Sequence, residues 1–173
     1  MTPETSPESN KKNLRNTLRS SLRETPDTSF SSWSQQLVVQ LQARTDFWCS
    51  PGIVALFGGL RSEPDLISEL MPWLQSKGWR TALFTISETQ LLPVIVQSQS
   101  DLKRGYLGVW EPLAQESVPL EQVNLILVPG LAFDPKTGAR LGRGGGFYDR
   151  LLARPEMRAR LLGVAEQDRD RFK

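Results

Sequence analysis

Ile53-Val54-Ala55-Leu56-Phe57 is an unbroken apolar run, entered through Pro51-Gly52 and ended by Gly58-Gly59. A short continuous run of this kind is the pattern of a β-strand covered on both faces. Such a strand needs helices above and below its sheet and parallel neighbours reached by crossovers. The chain that follows has that plan. Glu63 to Gln75 carries Leu66, Ile67, Leu70, Trp73 and Leu74 at helical spacing, Lys77-Gly78 closes it, and Thr81 to Ile86 reads as the next strand. This strand–helix–strand unit implies parallel strands and a right-handed crossover. Val123 to Val128, stopped by Pro129-Gly130, and Leu161 to Ala165 are further apolar runs. Leu91 to Val96 and Tyr106 to Val109 read as shorter strands separated by a polar turn.

Helices are expected at 10–24, 31–43 and 147–153. In the first, Leu14, Leu18 and Leu22 form an apolar stripe, while Lys11 and Arg15 share one face. In the second, Trp33, Leu37, Val38 and Leu41 face inward. The fold class is α/β: a single three-layer α/β/α domain over residues 10–173, with a mostly parallel, Rossmann-like sheet. Residues 1–9 are polar and are expected to form a disordered tail.

Composition removes several chemistries. The chain has no histidine and one cysteine, Cys49. Ser-His-Asp triads, imidazole acid–base catalysis, His-ligated zinc and thiolate clusters are excluded, and an intrachain disulfide is too. A reducing compartment is compatible, and the expected location is cytoplasmic. The formal net charge of +2 is too small to argue for nucleic acid. No apolar run approaches the ~20 residues that span a bilayer. The polar N-terminus is not a secretory signal.

Arg140-Leu141-Gly142-Arg143-Gly144-Gly145-Gly146-Phe147-Tyr148-Asp149-Arg150 is the stretch that speaks of function. Four glycines in five positions bury nothing and are entropically costly to order. Free backbone N–H groups, flanking arginines and entry into a helix favour a bound anion, a phosphate first of all. A flexible surface turn and a nucleic-acid loop are the alternatives. No Gly-Lys-Ser/Thr follows, so the loop is not a Walker A sequence, and its glycines are too dense for a dinucleotide fingerprint.

Leu127-Val128-Pro129-Gly130-Leu131-Ala132-Phe133-Asp134, then Gly138-Ala139-Arg140-Leu141-Gly142, then Gly144 to Arg150, resembles the signature of the 5-formyltetrahydrofolate cyclo-ligases (5,10-methenyltetrahydrofolate synthetases). Lys11, Leu14 and Arg15 resemble the family's N-terminal Lys-x-x-Leu-Arg pattern. Gly58 to Glu63 resembles its segment after the first strand, and Gly105 to Pro112 its Gly-x-x-Gly-x-x-Glu-Pro stretch. The resemblance covers about residues 11 to 167.

It implies ATP- and Mg²⁺-dependent closure of 5-formyltetrahydrofolate to 5,10-methenyltetrahydrofolate. The formyl oxygen would be phosphorylated and the resulting iminium phosphate trapped by the neighbouring folate nitrogen. Phosphoryl transfer depends on positioning and charge neutralisation, so the lack of histidine is no obstacle. By the same resemblance, Lys11, Arg15, Arg140, Leu141, Gly142, Arg143, Gly144, Gly145, Gly146, Phe147 and Tyr148 bind the nucleotide. Arg140 and Arg143 serve the transferring phosphoryl group, with Arg150 as a further source of charge. Gly58, Glu63 and Tyr148 meet the folate, and Asp149 holds Mg²⁺.

Other roles remain open for each. Lys11 and Arg15 could form a solvated helix face and Glu63 could favour a helix N-terminus. Asp149 could pair with an arginine, and Tyr148 could pack in the core. The expected partner is a small-molecule folate, with no nucleic acid or membrane, for a monomer or weak dimer. A non-catalytic or truncated paralogue that binds nucleotide or folate is the alternative. The family continues past its final strand to an acidic motif, so this chain is expected to be short at the C-terminus. Asp168 and Asp170 come too early to supply that motif.

Overall fold

A computed structural model of the chain describes residues 7–105, 108–114 and 116–166. Three helices come first: α1 (Pro7–Glu24), α2 (Asp27–Ala43) and the short α3 (Thr45–Trp48). Then follow β1 (Ile53–Leu56), α4 (Leu70–Ser76), β2 (Arg80–Ser87), β3 (Gln90–Val96), β4 (Leu102–Arg104), β5 (Trp110–Pro112) and β6 (Val123–Pro129). β7 (Ala132–Phe133), β8 (Arg140–Leu141), α5 (Phe147–Leu152) and β9 (Arg160–Val164) complete the order.

Five strands form the central sheet in the order β3-β2-β1-β6-β9. β1 runs parallel to β2 and to β6, and β6 parallel to β9. Only β3 is antiparallel, folded back on β2 as a hairpin that pairs Ser87 with Gln90. Pro93, which cannot donate to a ladder, is accommodated because β3 is an edge strand.

Strand alternation divides the core between the two faces of this sheet. Val54, Leu56, Leu83, Leu125 and Leu127 pack with Val38, Leu41, Trp48, Leu70 and Leu74 of the helices on one side. Ile53, Ala55, Ala82, Phe84 and Ile126 pack with Leu151 of α5 on the other. The class is the three-layer, mostly parallel α/β arrangement expected from the buried runs. Among the described residues no helix is long and apolar enough to cross a membrane.

Four local expectations differ from what forms. The helix expected from Glu63 begins at Leu70. Pro72 explains the boundary: it has no N–H, and a third helical position is where none is needed. The preceding residues form turns instead. Leu66 N–H reaches Pro64 O at 3.0 Å, and Asp65 Oδ1 accepts from Ser68 N–H at 2.9 Å. Ser34 Oγ on α2 accepts from Asp65 N–H at 2.7 Å.

α2 starts at Asp27 rather than at 31, because Pro26 sits at its N-cap and an acidic residue favours the first turn. That brings Phe30 into the buried stripe with Ser34, Val38 and Leu41, while Trp33 and Leu37 are half-buried. α1 starts at Pro7, so residues 7–9 are helical, and residues 1–6 lie outside the described part. Its leucine stripe is not core: Leu14 is 41% exposed, and Leu18 and Leu22 are half-buried. Of the strand expected at 106–109, Tyr106 and Leu107 lie outside the described residues. The pairing falls on its flanks, where Leu102 meets Pro112 and Arg104 meets Trp110.

Leu70, the first residue of α4, is fully buried in the core on one face of the sheet, so Leu70→Ala is expected to lower unfolding free energy by about 2–5 kcal/mol. Leu161 on edge strand β9 is 46% exposed, and Leu161→Ala is expected to change it by less than about 1 kcal/mol. Urea unfolding of both variants checks the layer assignment.

Candidate active site

After β1 the chain goes to β2 on one side. After the hairpin and the β4–β5 ribbon it returns to β6 on the other side of β1. This reversal of strand order opens a crevice at the carboxyl ends of β1 and β6, where open α/β sheets bind ligands. A cavity of about 390 Å³ lies there. Leu56, Phe57 and Gly58 line it from β1, Leu83 and Phe84 from β2, and Pro129 and Gly130 from β6. Val109, Trp110 and Glu111 also line it, as do the glycine loop and the first turn of α5.

The glycine loop leaves the small β7–β8 ribbon and enters α5 through Gly146, whose φ of 70° is left-handed. A side chain at that position would be strained and would meet Arg150 Nη1 at 2.7 Å. The loop is held by its carbonyls. Arg15 Nε of α1 donates to Gly142 O at 3.0 Å, and Arg19 Nη2, one turn further, donates to Arg143 O. Arg150 Nη2 donates to Gly145 O at 3.2 Å.

In a trans peptide the N–H points opposite to the carbonyl. Fixing Gly142 O and Arg143 O on α1 therefore turns the N–H groups of Arg143 and Gly144 away from it. Among the described residues, no backbone N–H from Arg143 to Phe147 donates to a protein acceptor. The amides are left available beside Arg19, Arg140 and Arg143, which all line the cavity. An anion with several oxygens fits this arrangement.

Glu63, which also lines the cavity, has only 10% of its side chain exposed. Burial pushes its carboxyl up; Arg143 Nε at 3.8 Å and the Leu60 N–H pull it back only in part. Arg143 is pushed down, first by burial and also by the nearby Arg19 guanidinium, against the opposing pull of Glu63. Its Nη2 donates to Ser62 Oγ at 2.7 Å. Both partners of this pair are thus displaced towards their neutral forms. Each remains short of counter-charge and suited to a ligand that supplies it.

Tyr148 stands edge-on to Phe84, with ring centroids 6.0 Å apart, and Arg140 lies 5.7 Å from its ring. Burial and then Glu63 raise the phenol, so Tyr148 is a neutral hydroxyl and not a base. Arg140 Nη1 donates to Pro129 O at 3.0 Å, and its Nη2 holds the Asp149 carboxylate.

Of the residues expected from sequence, Gly58, Glu63, Arg140, Gly142, Arg143, Gly144, Gly145, Gly146, Phe147, Tyr148 and Asp149 line this one cavity. Leu141 lies in β8 and Arg15 behind the loop; neither lines the cavity, nor does Lys11, exposed on α1. Arg19, Trp110 and Glu111 also line the cavity, and Ser62 accepts from Arg143; the last three fall in stretches that carried the resemblance without being named as site residues, and only Arg19 escaped the sequence reading. Arg19 carried a signal, since it falls four residues after Arg15 on the same face.

Asp149 is engaged by Arg140, the alternative noted for it. Among the described residues no three acidic or cysteine side chains gather as a metal cluster. Asp149 is nevertheless 69% exposed at the cavity. One accessible carboxylate fits a hard cation held mainly by phosphate oxygens and water.

Glu63 makes the pH dependence testable. Its carboxyl is raised in the folded chain, so the stability linked to it is complete below the unfolded carboxylate value. That stability is lost as pH rises through the folded value. Glutamine keeps the shape and cannot ionise. Between about pH 4 and 8, the stability of Glu63→Gln is expected to rise relative to the wild type. Urea midpoints at each pH measure this, and a flat difference would contradict the buried, under-compensated carboxylate.

Comparison with known proteins fits this geometry. Residues 7–168 match the 5-formyltetrahydrofolate cyclo-ligase family. The chain is 37% identical over 99 residues to the 5-formyltetrahydrofolate cyclo-ligase of Haemophilus influenzae, covering 56% of this chain and 51% of that protein. It is 35% identical over 130 residues to that of Escherichia coli, covering 68% of this chain and 69% of the other. The match thus spans about half the length of the first of these relatives. The fold is similar to the solved structure of the Aquifex aeolicus 5,10-methenyltetrahydrofolate synthetase. That match has a TM-score of 0.74 at 29% identity and covers 90% of this chain and 77% of that one. With its signature residues gathered on one cavity, the chain belongs to the 5-formyltetrahydrofolate cyclo-ligase family.

Proposed function

We propose that this protein is a cytoplasmic 5-formyltetrahydrofolate cyclo-ligase that uses ATP to form 5,10-methenyltetrahydrofolate, ADP and phosphate. The observation that carries the reading is one cavity lined by two unlike sets of groups. One is a buried carboxylate, Glu63; the other is a run of backbone amides without protein acceptors among the described residues, set among guanidiniums. The donor-rich edge of a pterin complements Glu63, and a triphosphate complements the amides with Arg143, Arg140 and Arg19.

In this reading the site acts by positioning and charge. The formyl oxygen attacks the terminal phosphorus, and the bond to the bridging oxygen breaks with release of ADP. The neighbouring folate nitrogen then attacks the formyl carbon. That carbon–oxygen bond breaks as phosphate departs, and the attacking nitrogen gives up its proton. An amide-like oxygen is a poor leaving group until it is phosphorylated, so ATP is needed to complete the ring.

Arg143 and Arg140 spread the charge of the moving phosphoryl group, and the loop amides orient it. Tyr148, a neutral hydroxyl beside Phe84, borders the folate. No group in the cavity has to serve as a histidine-like base. Asp149 would hold Mg²⁺ once Arg140 turns to the phosphates; the ion supplies charge neutralisation on the triphosphate.

Purified protein is incubated with 5-formyltetrahydrofolate and Mg²⁺, with and without ATP, and the ultraviolet absorbance of the methenyl product is followed. Product that depends on ATP is expected. A folded protein that binds ATP and yields none would point to a binding paralogue. Arg140→Ala and Asp149→Ala are each expected to lower turnover by about 100-fold or more, with the circular dichroism of a folded chain. Unchanged turnover in both would refute the site.

A further inference from the structure

Arg104, at the end of β4, does not itself line the cavity. Its Nη1 donates to Gly59 O at 2.8 Å and to Gly108 O at 2.7 Å. Those two carbonyls belong to different segments: the turn that leaves β1 and the turn that joins β4 to β5. Its guanidinium also lies 3.8 Å from the centre of the Trp110 ring. One exposed side chain therefore ties two backbones together and sets the plane of an aromatic ring that faces the cavity.

The joint is tight. Trp110 N–H donates to Gly58 O at 3.0 Å, and Gly105 N–H donates to Val109 O at 2.9 Å. A Cβ on Gly59, at φ of 112°, would meet Trp110 N at 2.5 Å and Gly108 O at 2.7 Å. The two turns can approach this closely only because Gly59 has no side chain. Beyond the joint they carry Gly58, Leu60 and Glu63 on one strand exit and Val109, Trp110 and Glu111 on the other, all lining the cavity.

We infer that Arg104 is a positioning residue for the folate: it locks the Gly58–Glu63 turn to the Val109–Glu111 turn, and so holds Glu63 and Trp110 in register for the pterin. The inference rests on the cyclo-ligase reading for the identity of the ligand. The geometry is one-sided. Among the described residues Arg104 makes no hydrogen bond or ion pair with the glycine loop or α1, so its loss should act on the folate and spare the nucleotide. Lysine can keep one carbonyl contact but cannot hold both while lying flat on the indole.

The test is steady-state kinetics of wild type, Arg104→Ala and Arg104→Lys, with each substrate varied in turn. Direct titration of 5-formyltetrahydrofolate without nucleotide is the second readout. Arg104→Ala is expected to raise the folate KM and the folate Kd by about tenfold, with the ATP KM within about twofold. Arg104→Lys is expected to fall between Arg104→Ala and wild type. Equal rises in both KM values, or an unchanged folate Kd, would overturn the inference. If Arg104→Ala fails to fold by circular dichroism, Arg104→Lys decides alone: a folate-selective rise supports the lock, and no selectivity refutes it. Wild-type protein with no ATP-dependent product would instead defeat the functional reading, while the folate titration would still judge Arg104.

Discussion

Two guanidiniums on α1, from Arg15 and Arg19, hold successive carbonyls of the glycine loop, and the site is organised around that grip. A loop with four glycines has little conformational preference of its own and must be ordered by partners. The partners chosen are cations acting on carbonyls, which turns adjacent amides the other way and leaves them unengaged. The same contacts account for α1, a helix with no buried residue among those described and Leu14 in solvent. α1 is fastened to the rest of the chain by polar bonds. At its far end, Arg61 donates to Leu22 O at 3.3 Å and to Thr25 O at 2.7 Å.

The second constraint is the Glu63–Arg143 pair, two residues that line the cavity. Burial opposes the charge on both, and their separation of 3.8 Å restores only part of what solvent would give. Such a pair stabilises the empty protein weakly. It suits a site that must open to two ligands of opposite demand, with hydrogen-bond donors taken by the carboxylate and phosphate oxygens by the guanidinium.

Much of this was legible in the chain. Apolar runs at 53–57 and 123–128 can only be doubly covered strands, and they form the middle of the sheet. The stretch from Leu127 through Arg150 carried the family resemblance, and its residues from Arg140 to Asp149, all but Leu141, line one cavity. What escaped the reading depends on contacts between distant segments. Arg19 and Arg143 are 124 positions apart, and Arg104 and Gly59 are 45 apart. No local periodicity announces such a bond. α4 was misplaced for a different reason: its apolar spacing extends back to Leu66, while Pro72 sets the first turn. The α1 stripe is a case in which spacing reports which residues share a face and not whether anything covers it.

The account depends most on the loop amides being the seat of the nucleotide phosphates. Amide hydrogen exchange across Leu141 to Phe147 measures this directly, followed for the free protein, with ATP, and with 5-formyltetrahydrofolate alone. ATP should slow exchange in that segment, whereas the folate alone should leave it nearly unchanged. ATP that binds the protein without slowing exchange there would show that the phosphates sit elsewhere, and the account would fail at its centre.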